Sequence, residues 1–111
     1  MAVTGASGYI GTRLLQNLEE EGAQRKLVAI DTSPLPFPIH SITVHRRDVT
    51  ESVDDILRRS RVTTLVHLAF ISKRGRNRRE VAEFRQTNQG ALKAVLDSCL
   101  RTRVRHFIYL S

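Results

Sequence analysis

Gly5, Gly8 and Gly11 fall between a short apolar run ending at Thr4 and an amphipathic stretch that begins near Tyr9. Glycines spaced this way ahead of a helix could hold an anion. The first turn of a helix carries backbone N–H groups without intrahelical acceptors and a partial positive charge, and bare glycines leave room for a phosphate to reach them. One glycine serves a tight turn, a second lets backbone approach a pyrophosphate, and a third lets the helix pack closely on the strand. Ser7, Gly8, Tyr9 and Ile10 are then expected to face the pyrophosphate of a dinucleotide. Three glycines alone recur in loops by chance, so the reading depends on the residues downstream of them.

The second strand supplies an acidic residue at the expected interval. Asp31 closes the apolar run KLVAID and lies 20 residues beyond Gly11, the distance at which a βαβ unit returns a carboxylate to the ribose of a bound dinucleotide. A carboxylate there accepts hydrogen bonds from both ribose hydroxyls and repels a 2′-phosphate. NAD is therefore favoured over NADP, and Thr32 and Ser33 come next in place of an arginine that would hold that phosphate. The alternative is that Asp31 merely caps a turn.

These residues need a scaffold, and the chain alternates apolar runs with helical patterns throughout. Strands are predicted at Ala2 to Thr4, Lys26 to Ile30, Ile42 to His45, Thr64 to Leu68 and His106 to Leu110. The first helix is predicted from Tyr9 to Glu21, with Ile10, Leu14, Leu15 and Leu18 on its buried face. A short helix is predicted from Ser52 to Arg59, buried through Val53, Ile56 and Leu57. The longest runs from Glu80 to Leu100, with Val81, Phe84, Ala91, Leu92, Val95, Leu96 and Cys99 at spacings of three and four. Pro34, Pro36 and Pro38 keep the segment from Thr32 to His40 out of a helix or central strand, leaving a loop that could bring Leu35 or Phe37 near an adenine. Strands separated by helices imply a parallel sheet with right-handed crossovers, in the order 3-2-1-4-5.

Composition excludes several classes. The 111 residues, 41% of them hydrophobic, suit one compact α/β domain over residues 1–111. No signal-peptide succession and no apolar run of membrane-spanning length occurs, so a cytoplasmic protein without a membrane partner is the simplest reading. Cys99 is the only cysteine, and His40, His45, His67 and His106 show no ligand spacing, which argues against a metal centre. The net charge is +7, densest at KRGRNRR from Lys73 to Arg79. That run reads as a solvated loop, as a site for an anionic substrate or cofactor phosphate, or as a nucleic-acid footprint. It lacks the interleaved aromatics or groove-sized helix of the last, so a nucleic-acid partner is not expected.

The same residues resemble a known family, the extended short-chain dehydrogenase/reductases, also called NAD-dependent epimerase/dehydratases. TGASGYIG, Thr4 to Gly11, resembles its TGxxGxxG cofactor loop, and Asp31 its ribose-binding acid. Asp48 and Val49 resemble the Asp-hydrophobic pair that lies against adenine. VHLAF, Val66 to Phe70, is similar to the fourth-strand segment, usually HLAA, whose Leu and Ala equivalents, Leu68 and Ala69, pass under the cofactor. TNQGALKAVLDSC, from Thr87, is similar to the NxxGTxNVLEA helix, with Asn88 at its asparagine and Gly90 as its glycine, one position closer than in that pattern. RHFIYLS, Arg105 to Ser111, resembles the strand that leads into the active-site serine or threonine. Phe70 stands where alanine is usual, and Ala91 where threonine is.

The resemblance implies a Rossmann-like doubly wound parallel sheet, truncated before strands 6 and 7, with Gly5, Ser7, Gly8, Tyr9, Ile10, Gly11, Asp31, Asp48, Val49, Leu68, Ala69, Phe70 and Asn88 around NAD. It implies an epimerase, dehydratase or reductase acting by hydride transfer on a small molecule such as a nucleotide sugar. The family's chemistry uses a Tyr-x-x-x-Lys pair, which is absent: Tyr9 stands at the start of the first helix and Tyr109 lies in the last strand. No catalytic residue is assigned, and these residues read as the cofactor-binding half of a longer enzyme. The alternatives are a non-catalytic, regulatory dinucleotide-binding module and, least supported, a basic nucleic-acid binder on the same scaffold. With its last strand unpaired on one side, the chain is expected to form homo-oligomers or to be ordered within a longer polypeptide.

Overall fold

The computed structural model describes residues 1–22, 26–38, 40–71 and 73–110. Its elements are β1 (Ala2–Thr4), α1 (Tyr9–Glu20), β2 (Leu27–Asp31), β3 (Ile42–Arg46), α2 (Asp54–Arg59), β4 (Thr64–His67), α3 (Arg78–Thr102) and β5 (His106–Tyr109). The five strands form one parallel sheet in the order β3-β2-β1-β4-β5. Register aligns Thr4 with Ile30 and His67, Asp31 with Arg46, and His67 with Tyr109, so the carboxyl ends of all five strands share one edge. From β1 the strands are added outward through β2 and β3 on one side and then through β4 and β5 on the other, and that topological switch point is where ligands bind in open α/β sheets.

Alternation along each strand sorts the core into two layers. Ala2, Val28, Ile30 and Leu65 point toward Val53, Ile56 and Leu57 at α2 and Ala91, Val95 and Cys99 of α3. Val3, Leu27, Ala29 and Val66 point the other way, toward Leu15 of α1. The central strands are apolar on both faces because both faces are covered. Leu15 is wholly buried, a burial that contributes about 1.5–3 kcal/mol.

Several element ends differ from the sequence expectation. β4 stops at His67: the Leu68 N–H is shared between the Thr4 carbonyl at 3.2 Å and the Thr4 hydroxyl at 3.1 Å, and the Ala69 N–H goes to that hydroxyl at 3.4 Å. α3 starts at Arg78 because the Asn77 side chain accepts the Glu80 N–H at 2.9 Å. Arg78 and Arg79 therefore belong to the helix, and the basic run is only in part a loop. α2 begins at Asp54, two residues after Ser52. Ile10 is not on the buried face of α1: it lies in the first turn and is 47% exposed. Leu35 and Phe37 are partly buried and pack against the α1-side core. Ser111 lies outside the described residues.

Candidate functional site

β1 ends at the carboxyl edge, and its chain must turn at once to enter α1. Gly5 makes the turn with φ +66°, a left-handed conformation that favours glycine, and a Cβ there would stand 2.5 Å from the Leu68 carbonyl oxygen. A Cβ on Gly11 would come within 2.5 Å of Gly5 O and 2.9 Å of Ala6 Cα, so this glycine seats the first turn of α1 against the loop. Gly8 differs from both. Its φ of −72° is ordinary, and the nearest atom to an added Cβ is Gly5 O at 3.3 Å. Backbone angles make no demand for glycine here, and a side chain would need only a small shift of the Gly5 carbonyl at the helix start.

The helix start has no side-chain cap and no acidic residue in its first turn. Thr12 N–H is the first to find an acceptor in the helical pattern, Gly8 O at 2.9 Å, which leaves the N–H groups of Tyr9, Ile10 and Gly11 without one among the described residues. Ser7 is committed elsewhere: its N–H and its hydroxyl both donate to Asp31 Oδ2, at 2.9 and 2.7 Å. The open donors are thus displaced along the chain, from Ser7–Ile10 to Tyr9–Gly11. Partial burial pushes the Asp31 carboxyl up, but hydrogen bonds from the Ser7 hydroxyl and N–H, with those from Ser33 and Thr32, outweigh it and hold the group below its ordinary value. Asp31 both caps a turn, through Ser33 N–H at 3.1 Å, and stays at the crevice as a carboxylate.

A crevice of about 350 Å3 opens over this edge, and Gly5, Ser7, Gly8, Asp31, Asp48, Val49, Leu68, Ala69, Phe70 and Asn88 all line it. Tyr9, Ile10 and Gly11 line an adjoining hollow that shares Gly5, Gly8, Leu68 and Phe70 with the first. The residues singled out in the sequence are therefore brought together. Asp48 accepts the Thr50 N–H and hydroxyl through Oδ1, at 2.9 and 2.7 Å, which lowers its pKa; its Oδ2 accepts nothing among the described residues. Val49 and Ala91 supply buried apolar lining. Asn88 shapes the wall: its amide accepts from Ile71 N at 2.7 Å and donates to Ile71 O at 3.1 Å, fixing the chain that leaves β4.

Sequence reasoning missed Arg47 and the Thr4–His67 pair. Arg47 lines the crevice, but its guanidinium is spent on both Asp55 oxygens at 3.0 Å and on Ser52 O at 2.8 Å. Thr4 Oγ1 lies 2.8 Å from His67 Nδ1, with both residues buried. A Thr flanked by HxA at the partner strand's end is a signal that only the sheet register, Thr4 beside His67, makes visible. Among the described residues no group of His, Cys, Asp or Glu is placed to hold a metal ion, and no described helix is long and apolar enough to cross a membrane.

The family model described as "NAD dependent epimerase/dehydratase family" matches residues 1–111. Short-chain dehydrogenase/reductase family 42E member 1 of Macaca fascicularis is 26% identical over 114 residues, covering 98% of this chain and 28% of that protein. The structure of MoeE5 in complex with UDP-glucuronic acid and NAD superposes with a TM-score of 0.83 at 28% identity, over 97% of this chain and 35% of that one. UDP-glucose 4-epimerase from Thermotoga maritima, solved with UDP-glucose, shares the fold at a TM-score of 0.83 and 21% identity, over 97% and 36% of the two chains. The chain thus spans about a third of the length of these relatives.

Proposed function

Because the chain belongs to the NAD-dependent epimerase/dehydratase family and forms the NAD-binding portion of an extended short-chain dehydrogenase/reductase, we propose that it holds NAD across the crevice as part of a longer enzyme acting on a nucleotide sugar. The pyrophosphate takes the open N–H groups of Tyr9, Ile10 and Gly11 over the space left by Gly8. Asp31 accepts the adenosine ribose hydroxyls, Asp48 Oδ2 takes the adenine amino group, and Val49 supports the ring. Leu68, Ala69 and Phe70 run beneath the nicotinamide half. The observation that carries this reading is Asp31, an ionised carboxylate pinned by Ser7 in the same crevice as the glycine loop.

The residues fit the dinucleotide: Gly5 and Gly11, where a Cβ would strike the backbone of the loop or of β4, shape the turn, and the third glycine leaves room for phosphate. When bound, NAD supplies a hydride acceptor and donor at its nicotinamide ring. The chain's own residues bind and orient it, and Thr4 and Asn88 fix the backbone that forms the floor and wall. The nucleotide-sugar substrate class is supported by the ligands with which MoeE5 and the epimerase were solved. That small molecule is the partner expected, and the outer edge of β5 is where a second copy of the chain would pair.

Calorimetry with NAD and NADP on the chain and on Asp31→Ala tests the assignment. NAD is expected to bind at least ten-fold more tightly than NADP, and Asp31→Ala to lose about ten-fold in NAD affinity, the worth of one charge-assisted hydrogen bond. Because the Asp31 pKa is lowered, the group is ionised above the ordinary carboxylate value of about 3.9, so NAD affinity should be flat from about pH 5 to 8 and fall only in stronger acid. Equal NADP affinity, or an Asp31→Ala variant that binds NAD normally, would remove Asp31 from the ribose site.

A further inference from the structure

The crevice changes character along its length. One end is lined by Asp31, Thr32, Arg47, Asp48, Val49 and Thr50, the other by Leu68, Ala69, Phe70 and Asn88 with their neighbours. No aromatic side chain lines the Asp31 end, where the adenine half of a dinucleotide lies in the reading above. Arg47 is the only cation among the described residues that line the crevice.

Arg47 is tethered at both ends. Its backbone N–H donates to the Asp31 carbonyl at 3.0 Å, which joins it to the end of β2. Its guanidinium crosses to the start of α2, where Nη1 donates to Ser52 O at 2.8 Å and Asp55 Oδ1 at 3.0 Å, and Nη2 donates to Asp55 Oδ2 at 3.0 Å. The loop between these anchors carries Asp48 and Val49. A guanidinium donates within its own plane, so three such bonds fix the plane and leave its two faces open. Nε–H has no acceptor among the described residues. An ion pair this exposed, 29% for the Arg47 side chain and 55% for that of Asp55, adds little to stability, so what it contributes is orientation. A flat, weakly hydrated cation stacks on aromatic rings, and here the side-chain freedom that such a contact normally removes is already lost before a ligand arrives.

We propose that Arg47 stacks its guanidinium on the adenine of bound NAD, and that Asp55 is the positioning residue that holds the guanidinium for it. The proposal rests on the dinucleotide reading, in which Asp48 Oδ2 and Val49 face the same base, and deepens it by dividing the work of recognition. Asp48 reads the edge of the base through its amino group. Arg47 holds the face, and a face contact is blind to that edge. Arg47 should therefore contribute equally to NAD and to its hypoxanthine analogue, which lacks the amino group.

AMP and ribose 5-phosphate share ribose and phosphate and differ in the base, so both serve as probes for the full chain labelled with nitrogen-15. The Arg47 Nε–H resonance, identified by its loss in Arg47→Lys, should move upfield saturably with AMP and with NAD, because a ring shields protons over its face. Ribose 5-phosphate should leave it in place. In calorimetry Arg47→Lys should bind NAD about five-fold more weakly, the usual worth of a cation–π contact, and the hypoxanthine analogue more weakly by the same factor. Asp55→Asn should lose about two-fold alone and nothing further when combined with Arg47→Lys, while all of these variants melt with the parent. A downfield shift, which marks an in-plane hydrogen bond, or no shift at all would overturn the proposal. So would additive losses, or a loss confined to NAD, which would mean that Arg47 acts through Asp48. If NAD leaves the Gly8 amide unmoved as well, the crevice reading fails and takes this one with it; a Gly8 response beside an unmoved Arg47 resonance removes the stack alone.

Discussion

The two sides of the sheet are built from strands of similar apolar content, yet one side is closed and the other open. Every residue of β1 is buried, and of β2 only Asp31 is not. In β5, Phe107 is half-buried and His106, Ile108 and Tyr109 are exposed. The difference is coverage. β1 and β2 have α1 on one face and α2 with α3 on the other, whereas β5 is covered only where Phe107 meets the α3 layer, and Ile108, in register with Val66, stands free at 51% exposure. α3 repeats the contrast along its own length: its buried residues are Ala91, Val95, Ser98 and Cys99, all in the second half. The site sits on the boundary: the crevice is lined by Gly5 and Asp31 from the closed side and by Phe70 and Asn88 from the open one. Burial is thus most complete around β1 and β2, and apolar surface is left uncovered at β5 and the first half of α3.

The sharpest way to break the contrast is to disturb the closed side where nothing can yield. Gly5→Val combines a left-handed φ with a Cβ 2.5 Å from the Leu68 carbonyl, backbone against backbone. Thermal and urea unfolding should show a loss of about 3 kcal/mol or more, or failure to fold. A folded variant within about 1 kcal/mol of the parent would mean the β1–α1 turn is not locked to β4.

Gly8→Val, three residues on, should separate binding from folding. With φ −72° and its nearest contact, the Gly5 carbonyl oxygen, at a tight 3.3 Å, the position takes a side chain only with a shift of a few tenths of an ångström, so circular dichroism and melting should stay much closer to the parent's than those of Gly5→Val. The same side chain fills the space over the Tyr9–Gly11 donors, and NAD affinity is expected to fall about a hundred-fold, near 2.7 kcal/mol. Normal affinity in the folded variant would show that the phosphates lie elsewhere.

These two glycines also show what a sequence discloses and what it withholds. The alternation of apolar runs with helical periods carries the element order, the parallel sheet and the order 3-2-1-4-5, because each is a local pattern plus one handedness rule. The glycine loop and Asp31 are legible for the same reason: their meaning is in their spacing. That Gly5, not Gly8, bears the strained φ is not legible, since both are only glycines until the backbone is drawn. Ser7 on Asp31 spans 24 residues and Thr4 on His67 spans 63, so neither hydrogen bond leaves a local trace. Asn77 as a helix cap was hidden inside a run of cations, and Leu35 and Phe37 pass for loop residues until the α1-side core is seen to need them.

The smallest effect on stability is expected at the open side, together with a change in assembly. Among the described residues β5 pairs only with β4, so one row of its N–H and C=O groups faces outward beside Ile108 and Leu110, exposed at 51% and 45%. Such an edge is a template for another chain. The net charge of +7 opposes association, but salt screens charge and leaves apolar burial in force, so sedimentation at low and high salt should show more self-association at high salt. Ile108→Lys should abolish that association while changing monomer stability by no more than about 0.5 kcal/mol, because the side chain it replaces is already half in water. The two readings then part cleanly. If the parent chain stays monomeric at high salt and high concentration, the open side is protected by something other than charge; if Ile108→Lys unfolds the chain, Ile108 belongs to the core, and the sheet is closed on both sides after all.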